Sequence, residues 1–268
     1  MTRYAPDSLR VVPLSAGVHY RYLWSPSGPW AIHLVSADLD RCQLDLRVIP
    51  ALAADGATRI RKAVSDMRPS GDADVQVLAG VNGDFFAADG TPVGPEVTRS
   101  TWRVSERPAL AWGRDRLLRI GPSDAEVDTV GAAPQVIGGF PELLDGGTPV
   151  GDLGIAERPS FAAARHPRTA AGLDVQSGLL WLVVVDGRQM PYSDGMSLPE
   201  LTELFLALGV DEALNLDGGG SSAMSAGGRI VSRPSDSDGE RAVANSLWLV
   251  LDEAGCQRSR SQASESPR

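Results

Sequence analysis

The stretch from residue 179 to 217 constrains the fold more than any other. "LLWLVVVDG" (179–187) is an apolar run of strand length, "SLPELTELFLALG" (197–209) repeats apolar residues at helical spacing, and "ALNLD" (213–217) returns to a strand. The helix carries its own boundary signals. Ser197 and Glu200 stand in capping-box relation, Pro199 lies in the first turn, Gly209 closes it, and Leu201, Leu204, Phe205 and Leu208 share one face. Such a strand–helix–strand unit makes its two strands parallel if they share a sheet, with a right-handed crossover. The expectation is an α/β (α+β) fold: a single domain with a mixed, partly parallel β-sheet flanked by helices, and a ligand site at the carboxyl ends of the strands.

The remaining chain fits one domain over residues 1–255. Strands are expected at 18–24, 30–39, 42–50, 75–82 and 246–251, and hairpins at 168–175/179–187, turning at Ser177-Gly178, and at 222–233, turning at Gly227-Gly228. "GRDR" (113–116) reads as a turn between short strands, and residues 138–159 as loop-rich. In "TRIRKAVSDMRP", Thr58 is placed to cap a helix whose Ile60, Ala63, Val64 and Met67 share a face and which Pro69 ends. The polar end, residues 256–268, reads as a disordered tail.

Composition excludes several classes. With 43% hydrophobic residues the 268-residue chain can bury a sizeable core, yet no apolar run approaches the roughly 20 residues that span a bilayer. A net charge of −9 without a Lys/Arg cluster argues against nucleic acid as partner. Cys42 and Cys256, far apart in sequence, read as two free thiols. No secretory signal pattern opens the chain, so as given it reads as cytoplasmic, with an extracytoplasmic home the alternative.

The strand–helix–strand unit sets Asp186 and Asp217 on one rim. The hairpin adds Arg168, roughly opposite Asp186, with Thr169 beside it. These three charged groups are expected to converge, and the loop carrying Asn82 and Gly83 to lie beside them. Next to Asp217, Gly218, Gly219 and Gly220 with Ser221 and Ser222 offer unshielded backbone N–H groups and two hydroxyls to a phosphate or sugar oxygen. Each feature has a plainer reading: a tight glycine bend, a rim ion pair between Arg168 and Asp186, Asp217 capping a turn, Asn82-Gly83 as a turn pair. His19 and His33 read as strand histidines. His166 lies two residues before Arg168, but its spacing to Ser221 supports no triad. The oxygen donors at the rim lack the pattern of an EF-hand or a His/Cys set, so neither metal nor cofactor is expected.

"VNGDFF", "PVG", "RTAAGLD", "VVVDGR", "GMSLPELTELFLALGVDEALNLDGGGSSAM", "SRPSD" and "RAVANSL", in this order between about 75 and 250, resemble the phosphodiester glycosidase family. In many of its members a glycine stands where this chain has Asp84, and Asp84 is therefore left out of the expected site. The resemblance implies hydrolysis of the glycosidic C1–O bond of a sugar-1-phosphodiester, free or on a glycan. A phosphomonoester is already a weak base, so protonating it matters less than holding its charge. On that logic Asp217 is base or nucleophile, Asp186 orients Arg168 or shares acid–base work, and Arg168 grips phosphate. The resemblance also places the polar loop with Arg233, Asp236, Arg241 and Asn245 near the pocket, of which Arg233 is the chosen contact. Two other readings stand beside it: a phosphodiesterase cutting at phosphorus, and a binding module for sugar phosphates without turnover.

Overall fold

Strand pairing dominates the computed structural model, which describes residues 7–70, 75–99, 101–113, 115–121, 135–151, 153, 156–253 and 255–256. Strand accounts for 46% and helix for 10%, and each ladder in the three sheets is antiparallel, which overturns the expected partly parallel sheet flanked by helices. The largest sheet has the order β1 (Ser8–Ser15), β2 (Val18–Ser25), β3 (Trp30–Asp38), β14 (Leu179–Val185), β13 (Arg168–Asp174), β15 (Glu212–Asn215), β11 (Glu142–Asp145), β12 (Thr148–Pro149). A second has β17 (Arg229–Ile230), β16 (Met224–Ala226), β5 (Val75–Asn82), β18 (Asn245–Asp252) and β4 (Leu44–Pro50). The third has β7 (Trp102–Arg103), β6 (Glu96–Val97), β10 (Gln135–Gly138), β8 (Ala109–Trp112) and β9 (Leu118–Gly121).

The reason for the difference is β13. It hydrogen-bonds β14 on one side and β15 on the other, antiparallel to both. Thus β14 and β15 run in the same direction, as the crossover requires, but the strand preceding them in sequence is inserted between them. Their carboxyl ends still share a rim with the amino end of β13.

Both faces of the large sheet are buried at its centre, where β14 lies, which is why 179–185 reads as an unbroken apolar run rather than an alternation. Leu180, Leu182 and Val184 point into a core shared with Leu46, Val81, Leu247 and Leu249 of the second sheet and Leu110 and Ile137 of the third. Trp181, Val183 and Val185 point the other way, where helix α2 (Leu198–Ala207) lays down Leu198, Leu201, Leu204 and Phe205; a four-residue helix α1 (Pro159–Ala162) adds Ala162. The capping box of α2 forms as its sequence requires: Ser197 Oγ accepts from the Glu200 amide at 3.3 Å, and the Glu200 carboxylate accepts from the Ser197 amide at 3.0 Å.

Two local expectations fail for identifiable reasons. The helix from Thr58 shrinks to one 3-10 turn, Val64–Met67. The backbone upstream of it is spent elsewhere, since the Ile60 amide donates to Ala51 O at 3.0 Å and the Lys62 amide to Val243 O at 3.0 Å, while Thr58 bonds Asp55. Cys42 and Cys256 are not free thiols but a disulfide, their Cα atoms 4.7 Å apart. Antiparallel β4 and β18 bring Leu44 opposite Leu251, and so carry the chain end back to the β3–β4 turn across 214 residues of sequence. The expected tail beyond Cys256, and Arg114 of the expected 113–116 turn, lie outside the described residues.

Gly80 shows how tightly the second sheet is packed. It sits opposite Trp248 on β18, and a Cβ at this position would fall within the indole ring, itself fully buried. Gly80→Val is expected to lower the urea-unfolding free energy by about 1–3 kcal/mol, because neither strand can retreat; an unchanged midpoint would contradict this packing.

Candidate functional site

The rim where β14 and β15 end faces the end of β5 across the main core. Asp217, two residues beyond β15, is fixed there through its backbone: its amide donates to Gly83 O at 2.9 Å, and its carbonyl accepts from Asn82 Nδ2 at 2.7 Å. Asn82 is fully buried, and its Oδ1 accepts from Thr169 Oγ1 at 2.7 Å and from the Ala223 amide at 3.1 Å. One amide side chain thus ties together β5, β13 and both sides of the glycine turn. Asn82, Gly83, Thr169 and Asp217 are together, with Asn82 and Thr169 serving as the frame.

The glycine run packs against charge. Gly219, at φ +61°, takes a conformation that favours glycine, and a Cβ there would lie 3.1 Å from a guanidinium nitrogen of Arg188. At Gly220 a Cβ would collide with the Arg241–Asp236 ion pair, and at Gly218 it would lie 2.9 Å from Pro167 O and 3.9 Å from Arg168 Cα. Two cations and one carboxylate therefore lie over a bare main chain. Ser221 and Ser222 are buried; the Ser222 hydroxyl has no hydrogen-bond partner, and that of Ser221, outside strict bonding geometry, lies near enough to the Asp217 carboxylate to favour its ionised form. The Asp217 carboxylate accepts from the Gly218 amide at 2.9 Å. Burial raises its pKa from 3.8 to about 6, against the opposing pull of nearby Ser221, the Gly218 amide and Arg241.

Arg168 and Asp186 adjoin this turn without pairing. Arg168 sits opposite Val185, not Asp186, and so points to the helix-covered face of the sheet, whereas Asp186 points to the other. The Arg168 guanidinium, almost wholly buried, donates to Met196 O at 2.8 Å, Phe161 O at 2.6 Å and Ala164 O at 3.1 Å. Burial and the neighbouring Arg188 lower its pKa to about 10.

Asp186 is the hub of a buried polar network. Its Oδ2 meets His33 Nε2 at 3.0 Å and accepts from Tyr192 Oη at 2.9 Å, while Oδ1 accepts from the Arg233 amide at 2.9 Å. Tyr20 Oη completes the line at 2.8 Å from His33 Nδ1. Burial, then the Asp186 charge, pushes the Tyr20 hydroxyl up to about 12 and Tyr192 higher still. Arg233 thus enters through its backbone, and its guanidinium lies 5.3 Å from the centre of the Tyr192 ring.

Sequence reasoning passed over Arg188, although "VVVDGR" contains it. Its φ of +59°, unusual for a non-glycine residue, turns the chain back over the glycines, and its Nη2 lies 3.2 Å from His166 Nδ1. Arg241, set aside in favour of Arg233, faces Gly220. Among the described residues no three His, Cys, Asp or Glu side chains cluster as a metal would need, and no helix is long and apolar enough to cross a membrane. A cavity of about 280 Å³ among Leu14, Arg68, Gln76, Leu78 and Gly228 lies toward the other end of β5 and contains none of the residues above.

Four acids are held above the usual carboxylate range chiefly by burial: Asp217 at about 6, Asp84 and Glu142 each at about 7, and Glu212. Their folded-state values exceed their unfolded ones, so the folded chain binds more protons between pH 4 and 7. Conformational stability is therefore expected to fall as pH rises through that window. A urea midpoint that climbs from pH 4 to 7 would contradict it.

Antiparallel sheets stacked on one core, with helix α2 against one face of the largest, bring a glycine turn, two arginines and a buried carboxylate to one strand rim. Residues 76–250 match the model of the phosphodiester glycosidase family, and the chain belongs to that family. It is 30% identical over 244 residues to the bovine N-acetylglucosamine-1-phosphodiester alpha-N-acetylglucosaminidase, covering 83% of this chain and 45% of that one. An 85-residue segment is 40% identical to the SPbeta prophage-derived uncharacterized protein YomE of Bacillus subtilis, covering 32% of this chain and 13% of that one. The chain thus spans less than half the length of either relative. Among solved structures, a hypothetical protein from Synechocystis superposes with a TM-score of 0.73 at 17% identity, over 92% of this chain and 64% of that one. The zebrafish N-acetylglucosamine-1-phosphodiester alpha-N-acetylglucosaminidase catalytic domain, auto-inhibited by its pro-peptide, gives 0.67 at 21% identity, over 90% and 82%. These likenesses show the same fold.

Proposed function

We propose that this chain hydrolyses the C1–O bond of a sugar-1-phosphodiester, releasing free sugar and a phosphomonoester. Family membership supports the reaction class, and one observation supports the site: a buried carboxylate at Asp217 beside a glycine turn that two arginines face. In this reading the phosphate lies against the Gly218–Ser222 turn, where the Ser222 hydroxyl, Arg188 and Arg241 take its charge, since the amides of Gly218, Gly219, Ser221 and Ser222 already donate to Asp217 Oδ1, Pro167 O, Gly218 O and Gly219 O. Carbon–oxygen cleavage then needs little proton donation, because the leaving oxygen is already stabilised as phosphate. Asp217 supplies the remaining chemistry, either attacking C1 or taking a proton from the water that does. Arg168 adds positive charge from beneath the turn while its bonds to carbonyls hold the chain around it. Asp186 fixes Tyr192 and the backbone of Arg233, and so the strap that carries Asp236 and Arg241.

The experiment is a screen of purified protein against α- and β-linked sugar-1-phosphodiesters, reading released sugar. Turnover of at least one is expected; binding with no product over long incubation would instead favour a non-catalytic module. Arg188→Ala is expected to raise KM for such a substrate by about 10- to 100-fold, the loss of one charge-assisted contact, with little change in unfolding free energy because the side chain is exposed. An unchanged KM would remove Arg188 from the site. We also infer folding in an oxidising compartment, which the Cys42–Cys256 disulfide supports.

A further inference from the structure

Asp84 follows Gly83, whose carbonyl holds the Asp217 amide at 2.9 Å, and its side chain is 1% exposed. One oxygen, Oδ2, accepts from the Gly94 amide at 2.5 Å; the other, Oδ1, is buried with no partner in full bonding geometry, the Phe85 amide lying only near enough to favour the ionised form weakly. The carboxyl lies in a slot that only glycines can form, since a Cβ on either Gly94 or Gly138 would come within 2.9 Å of Oδ2. The Asp84 amide is fixed in turn by Asn245 Oδ1 at 2.8 Å, and Asn245 Nδ2 donates to buried Glu96 at 2.6 Å. The charged groups acting on Asp84 are Asp217, which disfavours its ionisation, and Arg107, which favours it, with Glu96 behind Asn245. Burying an ionised carboxylate with one poorly partnered oxygen costs more than burying the neutral acid in the same slot.

We propose that Asp84 is a positioning residue paired with Asp217: it stays a neutral acid while Asp217 is ionised, and its own ionisation sets a second negative charge behind the glycine turn and weakens binding of an anionic substrate. Two neighbouring carboxyls then lose their protons in two coupled steps, Asp217 first. Burial, opposed by the Gly94 and Phe85 amides and Arg107, holds Asp84 at about 7, above the value of about 6 for Asp217, which fits that order. Between the two steps the pair carries a single charge. The consequence for KM rests on the phosphodiester reading above; the pairing itself does not.

The test has two arms on the full chain. In the first, the ¹³C carboxyl signal of Asp84, assigned through its backbone, is followed against pH without substrate. It is expected to titrate near neutrality and to move to lower pH in Asp217→Asn, which removes the neighbouring charge. A titration in the ordinary carboxylate range, or one that Asp217→Asn leaves in place, would overturn the proposal. In the second arm, KM for a sugar-1-phosphodiester is expected to rise about three- to tenfold between pH 6 and 8.5 in the unaltered protein, the size of a coupling of half to one pKa unit. In Asp84→Asn, which cannot ionise at this position, the rise in KM between pH 7 and 8.5, where Asp217 is already ionised, should disappear; parallel KM profiles over that range would also overturn it. Inactivity toward every phosphodiester, with the coupled titration intact, would retire the hydrolase reading and leave the carboxyl pair supported.

Discussion

Replacing Asp217 by Asn is expected to lower kcat/KM toward a sugar-1-phosphodiester by about 10³-fold or more, the range of a lost general base or nucleophile. The fold should survive, because the contacts that fix this residue run through its backbone amide and carbonyl, to Gly83 and Asn82. The amide side chain also retains an oxygen to accept from Gly218. Folding stability should rise at alkaline pH: the Asp217 carboxyl is held at about 6 in the folded chain against 3.8 ordinarily, so its ionisation above pH 6 opposes the folded state, and Asn removes that term. The unaltered protein should lose kcat/KM below about pH 6 as Asp217 takes up its proton. Near-normal turnover in Asp217→Asn would reject the assignment, and the combination of lost activity with equal or higher urea resistance at pH 8 separates chemistry from misfolding.

The second large effect concerns the Cys42–Cys256 bond. It joins residues 214 apart in sequence, and closing so long a loop restrains the unfolded chain strongly, a contribution of about 2–5 kcal/mol. The paired variant Cys42→Ser, Cys256→Ser is expected to show that loss in urea unfolding. Activity under native conditions should persist, since the disulfide adjoins the Leu44 and Leu251 ends of β4 and β18, whereas Asn82 pairs at the other end, with Ser246. Intact protein should yield no free thiol when denatured without reductant. Two titratable thiols, or an unfolding curve indifferent to reductant, would contradict the bond.

Local order was legible in this sequence where local chemistry decides it. The capping box at Ser197 and Glu200, the limits of β5, and the hairpin turn at Gly227-Gly228, with φ values of +58° and +85°, follow from residues a few positions apart. Pairing between distant segments was not. Whether β14 and β15 lie side by side or admit β13 between them is settled by which strand edge the 168–174 segment occupies, and no periodicity records that. The same limit hid the disulfide and the strand-like pairing of residues 59–62, where backbone partners at Leu52 and Val243 outcompete a helical spacing of apolar residues.

The candidate site was legible in part for a similar reason. Asp217, the glycines and Asn82 cluster because strand ends gather at one rim. Arg168 and Asp186 were expected to meet because their strands pair, but the register sets Arg168 opposite Val185, and a shift of one residue sends a side chain to the other face. Arg188 was hidden by its backbone: with φ at +59° its direction follows from neither strand nor helix geometry.

The central claim, that the bond broken lies between sugar carbon and oxygen, is tested most directly by running the reaction in ¹⁸O-labelled water and examining the phosphomonoester by ³¹P NMR. Attack at C1 predicts a phosphate free of label, with the oxygen isotope entering the released sugar. Label on phosphorus would contradict the account and make the protein a phosphodiesterase.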